Sequence, residues 1–250
     1  MSDRVTYPIF LKLQNNKKNN KKMKKFNLFL VLAISLLWGV SIQAQKTKDW
    51  AQFGRYAAAN AQLKKAPKAV FMGNSITDNW AKMDDAFFKD HDYLGRGISG
   101  QTTSEMLVRF RSDVIDLHPK VVVIMAGIND IAHNNGVISI ENMMANITSM
   151  CELAQLNDVT PVLCSVMPAS DFPWRRGLNP APKVIQLNQL IKEYARLHHL
   201  KYVDYHKTFA NKVNGMPEKY SKDGVHPNLA GYKVMEGIVS PIVQEVLNSK

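Results

Sequence analysis

Val121-Val122-Val123-Ile124-Met125 is apolar on both faces and rich in β-branched residues, the composition of a strand buried inside a parallel sheet. Directly after it comes Gly127-Ile128-Asn129-Asp130, a polar turn at the strand's carboxyl end. The same arrangement occurs earlier, where the apolar run 68–73 leads into Asn74-Ser75-Ile76-Thr77. Residues 93–98, 161–167 and 201–205 supply three more strand-like runs. Between them, apolar residues at helical spacing predict helices over 47–65, 102–117, 139–156, 183–199 and 229–247. Met106, Leu107, Phe110, Val114 and Leu117 form one such stripe, and Ser139 is placed to cap the helix that follows it.

Strand and helix alternate along the chain. Right-handed crossovers then give an α/β fold: a three-layer α/β/α sandwich with a five-stranded parallel, flavodoxin-like sheet. No composition shift, repeat or low-complexity linker follows residue 50, so 45–250 reads as a single domain. In such a sheet the loops after the strands meet at one edge, where ligands bind.

The formal charge of +11 suggests nucleic acid until it is divided along the chain. Residues 1–44 hold eight Lys and Arg against one acid, whereas 45–250 hold 24 basic and 20 acidic residues. The excess belongs to the leading segment, and no nucleic-acid partner is expected. That segment has Lys21, Lys22, Lys24 and Lys25, an apolar run over 28–40, and Ser41-Ile42-Gln43-Ala44. It reads as a secretory signal cut before Gln45, which implies a periplasmic or secreted product. The apolar run is shorter than the roughly 20 residues of a stable span, and no Cys follows the cut to accept a lipid. Met23 stands where such a signal naturally starts, so either Met1 or Met23 serves as the start.

Ser75, Asp223 and His226 are the residues that carry chemistry. A serine becomes a nucleophile beside a base, and the base needs a carboxylate to orient it and stabilise its cation. Asp223-Gly224-Val225-His226-Pro227 puts a carboxylate three residues before an imidazole, close enough to fold back onto it. Gly100, in Gly97-Ile98-Ser99-Gly100-Gln101-Thr102-Thr103, has no side chain to keep a substrate from its backbone.

These four blocks, in this order, resemble those of the SGNH hydrolase superfamily, also called GDSL esterases and lipases. The similarity includes members resembling platelet-activating-factor acetylhydrolases and carbohydrate acetylesterases, and it spans nearly all of the chain after the leader. The resemblance implies a serine esterase working through an acyl-enzyme. It assigns Ser75 as nucleophile, His226 as general base and Asp223 as its partner. It also implies an oxyanion hole built from the Ser75 and Gly100 backbone N–H groups and the Asn129 side chain. Many relatives carry Asp where this chain has Asn74, a change expected to alter local hydrogen bonding and not the reaction.

No metal or cofactor is expected: His91, His118, His198, His199 and His206 lack paired ligand spacing, and His133, just beyond Asn129-Asp130, is placed where it could line the pocket but is assigned no role. Cys151 continues an apolar helical stripe and Cys164 lies in a strand-like run, so both read as buried, unpaired thiols. Asn146-Ile147-Thr148 matches a glycosylation sequon but falls inside a predicted helix.

Residues 168–182 lack periodicity and carry Trp174, Arg175 and Arg176. Two readings of this loop stand level. In one, Trp174 meets a sugar ring and the arginines an anion; in the other, Trp174 is pinned to the core. Apolar lid helices are absent between the blocks, which favours a short acyl group, acetyl first, on a glycan or similar polar carrier. Lysophospholipid or platelet-activating-factor-type lipid acyl hydrolysis is the enzymatic alternative, and a non-catalytic carbohydrate-binding protein the alternative from another class. The partner is then a small-molecule or glycan ester, with no stable membrane span, and the oligomeric state stays open.

Overall fold

In the computed structural model, which describes residues 49–249, the five strands pair in parallel in the order β2-β1-β3-β4-β5. They are β1 (Ala69–Gly73), β2 (Tyr93–Gly97), β3 (Val121–Ile124), β4 (Thr160–Cys164) and β5 (Lys201–Val203). The helices are α1 (Gly54–Ala61), α2 (Ser75–Met83), α3 (Asp85–Asp90), α4 (Thr103–Asp113), α5 (Ile128–Ile131), α6 (Ile140–Gln155), α7 (Ala181–Leu197), α8 (Tyr205–Phe209) and α9 (Leu229–Asn248). This strand order is the flavodoxin-like one. Its switch point lies between β1 and β3, whose crossovers leave the sheet in opposite directions and open a crevice at their carboxyl ends.

The central strands are apolar on both faces because both faces are covered. Val70, Met72, Val122, Ile124 and Leu163 pack with Met106 and Phe110 of α4, Ile147 and Met150 of α6, and Val184, Leu187 and Ile191 of α7. Ala69, Phe71, Val121, Val123, Val162 and Val203 pack with Ile76 and Trp80 of α2, Phe87 and Phe88 of α3, and Tyr232, Met235, Val239 and Val243 of α9. Each large side chain taken fully out of water contributes about 1.5–3 kcal/mol, so these two layers hold the sheet edge that carries the loops.

Several elements differ from the sequence reading, each for a local reason. The first helix starts at Gly54, because Gln52 adopts φ +57° and the Asp49 carboxylate accepts the Phe53 and Gly54 N–H groups. Residues 47 and 48 of its expected range lie outside the described residues, as does the expected leader. Helix α4 ends at Asp113, and the chain passes through a 3₁₀ turn, Ile115–Leu117, to His118 at φ +51°. Strand β4 stops at Cys164, because the Val166 N–H and C=O are taken by the Asn188 side-chain amide at 2.7 and 3.0 Å. Strand β5 stops at Val203, because the Asp204 carboxylate caps α8 through the Lys207 N–H at 3.0 Å. The turn after β1 opens two helices, α2 and α3, that the sequence reading left undrawn. The Ser139 hydroxyl caps α6 by accepting the Asn142 N–H at 3.2 Å, as its position predicted.

Candidate active site

Ser75 is the first residue of α2, immediately beyond β1. Asn74 caps that helix, its Oδ1 accepting the Ile76 N–H at 3.0 Å, so the side chain that replaces the more usual Asp serves the backbone. The first turn of α2 lies directly on β2. A Cβ at Gly97 would sit 2.2 Å from Asp78 N and 2.6 Å from Asn74 O, so only glycine admits the turn there. Ser75 is thereby fixed at a helix N-terminus, where the helix dipole favours developing negative charge.

The Ser75 Oγ lies 2.9 Å from His226 Nε2, and His226 Nδ1 lies 2.6 Å from Asp223 Oδ2. The other oxygen of Asp223 accepts the Ser221 hydroxyl at 3.0 Å and the N–H groups of Val225 and His226 at 2.9 and 2.8 Å. Partial burial alone would raise the Asp223 pKa. The hydrogen bonds from His226 and Val225 outweigh it and hold the carboxyl down at about 2. His226 is carried by the segment entering α9, and α9 is locked onto α2. The Tyr232 hydroxyl donates to Ile76 O at 2.9 Å, and the Trp80 ring stacks on that of Tyr232 with centroids 5.6 Å apart. The contact that brings His226 to Ser75 is thus held by a core contact between the helices that present them.

A second group faces the same serine. Gly100, at φ +84°, has open space where a side chain would stand. The buried Asn129 amide donates one N–H to Gln101 O at 3.0 Å, and an amide has a second N–H to give. Asp130, fully buried, accepts the Thr103 N–H at 3.0 Å and the Thr103 hydroxyl at 2.6 Å, which clips α5 to the start of α4. Burial pushes the Asp130 carboxyl up to about 6, against the lowering effect of the bonds from Thr103.

Beneath the loop lies Arg109, wholly buried and paired with Asp113 at 2.9 Å. It donates to Gln101 Oε1 at 2.5 Å, to Gly73 O at 3.0 Å and to Arg96 O at 2.9 Å. One guanidinium therefore ties the end of β1, the end of β2 and the Gly100 loop together. The sequence reading missed it, since an arginine inside an amphipathic helix usually points to water.

Ser75, Gly100, Asn129 and His226 line one cavity of about 370 Å³, together with Asn79, Ser99, Asn134 and Trp174. Trp174 is 45% exposed, with its ring 5.9 Å from that of His226 and its Nε1–H donating to Asn134 Oδ1 at 3.3 Å. It also rests against buried Phe172 at 5.2 Å, so the ring is anchored on one side while it lines the cavity on the other. Arg175 and Arg176 do not line the cavity. Arg175 turns back to donate to the carbonyls of Ala132, at 2.9 Å, and His133. Asn134 follows His133 and joins the two banks, its Nδ2 lying 3.4 Å from Gly100 O. Solitary asparagines such as Asn79 and Asn134 leave no sequence signal.

A model of the GDSL-like lipase/acylhydrolase family matches residues 71–234. A GDSL-like lipase from Bacteroides thetaiotaomicron is 41% identical, with a TM-score of 0.76 over 78% of this chain and 98% of its own. A Bacteroides fragilis protein assigned as a candidate acylhydrolase is 42% identical, with a TM-score of 0.78 over 80% of this chain and 99% of its own. Lipoprotein YqeF of Bacillus subtilis, whose function is uncharacterised, is 34% identical over 80 residues, or 31% of this chain. The match spans only 33% of the length of that curated relative.

Proposed function

Because the chain belongs to the GDSL-like lipase/acylhydrolase family and is a hydrolytic esterase, we propose that it removes short acyl groups, acetyl above all, from a carbohydrate or similar polar carrier. The observation that carries this reading is the relay from Ser75 Oγ through His226 to Asp223, at 2.9 and 2.6 Å, opening into a cavity where Trp174 shares the lining with Ser99 and the amides of Asn79, Asn129 and Asn134.

In the proposed mechanism Ser75 Oγ attacks the ester carbonyl as its proton passes to His226 Nε2. Asp223, held ionised, stabilises the imidazolium through Nδ1–H. The carbonyl oxygen becomes an oxyanion and receives the N–H groups of Ser75 and Gly100 and the second Nδ2–H of Asn129. The intermediate collapses, the carrier alcohol leaves with the proton from His226, and acetyl stays on Ser75. Water, deprotonated by the same imidazole, then attacks the acyl-enzyme and releases acetate.

Two features favour a short acyl group. The interior void beneath the start of α2, walled by Asn74, Ile76, Met125, Ile128 and Val166, measures about 10 Å³, no more than a single water needs. The acyl chain lies in the open cavity that contains Ser75, where Trp174 is the one large apolar side chain among the lining residues. Export belongs to the same proposal, with residues 1–44 acting as the leader.

The test is hydrolysis of p-nitrophenyl esters from acetate to decanoate by wild type and Ser75→Ala, with folding checked by circular dichroism. Expected is a fall in kcat of at least about 10³-fold in the variant, with activity declining steeply beyond propionate. Equal activity in both proteins refutes the serine mechanism, and a rise toward decanoate refutes the short-acyl specificity.

A further inference from the structure

We propose that the cavity extends onto an aromatic shelf formed by Trp50 and Phe53, so that the ester is presented on a carbohydrate chain of several units and not on a single sugar. This rests on the acyl-ester reading of the cavity. The segment before α1 is bound to the loop that forms one bank of the site. Ala51 is wholly buried, and its carbonyl accepts Gln101 Nε2–H at 2.8 Å. Gln101 directly follows Ser99 and Gly100, two walls of the cavity. A second tether runs through Asp78, which pairs with Arg55 at 3.3 Å and accepts the Ser99 hydroxyl at 2.8 Å. A third is the Tyr56 hydroxyl donating to Gly97 O. Helix α1 itself buries no residue, so hydrogen bonds to the active-site loop, and not an apolar face, hold this segment in place.

On that fixed frame Trp50 and Phe53 stand either side of Ala51 in sequence and remain 52% and 44% exposed. The frame is stiff, because Asp49 accepts the N–H groups of Phe53 and Gly54 at 2.9 and 2.8 Å. Rigid aromatic faces left in water, on a segment tied to the loop of Ser99 and Gly100, suit the C–H faces of sugar rings, which bind flat at low entropic cost. Trp174 supplies a corresponding face beside His226 on the other bank. Between the banks, Asn79, Ser99 and Asn134 offer amides and a hydroxyl to sugar hydroxyl groups.

The full chain, its Trp50→Ala/Phe53→Ala double variant and a remote Leu156→Ala control are compared on p-nitrophenyl acetate and on acetylated xylo- and cello-oligosaccharides, dimers and hexamers of each. Leu156 is 82% exposed at the end of α6, near the opposite edge of the sheet. The double variant is expected to lose about tenfold more kcat/KM on the hexamers than on the dimers or p-nitrophenyl acetate, chiefly through KM. The control is expected to match wild type, and melting temperatures to verify that all three proteins are folded. Equal loss on every substrate, or none on any, overturns the shelf. Wild type that cleaves p-nitrophenyl acetate but no acetylated oligosaccharide overturns the carbohydrate reading beneath it, an outcome distinct from loss of length dependence.

Discussion

Asn129 holds its side-chain amide through one bond to Gln101 O and keeps its other N–H for the cavity. In the proposed mechanism, replacing it with alanine removes a donor aimed at charge that exists only in the transition state. Asn129→Ala is therefore expected to lower kcat by about 10²–10³-fold with little change in KM, read by steady-state kinetics on p-nitrophenyl acetate. A change confined to KM would place the amide in ground-state binding instead. Asp223 links the same site to pH. Its carboxyl is held at about 2 against an ordinary 3.8, so the ionised form is favoured in the folded protein. The resulting stability is complete above pH 3.8 and is lost as the pH falls toward 2. Asp223→Asn is expected to flatten that acid limb in pH-dependent melting, and an unchanged limb would assign it to other carboxyls. Ser75, His226 and Asp223 were legible in sequence because each sits in a short block with its own turn chemistry. Arg175 misled because charge in a loop reads as ligand contact, whereas the fold directs it to two backbone carbonyls.

Elements set the distances that residues exploit. Asp130 lies between α5 and the start of α4, and its carboxyl pKa rises from 3.8 to about 6 because burial outweighs the bonds from Thr103. The folded state therefore binds the proton more tightly than the unfolded chain does. Its contribution to stability is complete below pH 3.8 and is lost as the pH rises through about 6, a change on the order of 3 kcal/mol. Asp130→Asn keeps an acceptor for Thr103 but removes the titration. Relative to wild type the variant is expected to gain stability between pH 4 and pH 7, measured by urea unfolding at each pH. A difference that does not vary with pH would show that Asp130 titrates as it does in the unfolded chain. The strands and the longer helices were legible because their periodicity is strong. Their ends were not: Asn188 stops β4 from across the fold, and no local pattern announces a side chain more than twenty residues away.

At the scale of the whole molecule, the sheet separates two apolar layers, and the cysteines fall on different sides of it. Cys151 lies with α4, α6 and α7, while Cys164 lies with α2, α3 and α9. A disulfide between them has no path through the sheet at the short Cα separation such a bond requires. Burial also disfavours the reactive thiolate, pushing Cys151 up to about 12 and Cys164 higher still. The same placement keeps both thiols away from an oxidising compartment, so the proposed export needs no pairing. Native protein is expected to leave both cysteines unreacted toward a thiol-specific disulfide reagent, and both to titrate once guanidinium unfolds it. The melting temperature is expected to be the same with and without reductant. A single titratable thiol, none at all, or a melting temperature lowered by reductant would mean that the two layers exchange partners during folding or export. The sheet would then be less of a barrier than its continuous ladder from β2 to β5 implies.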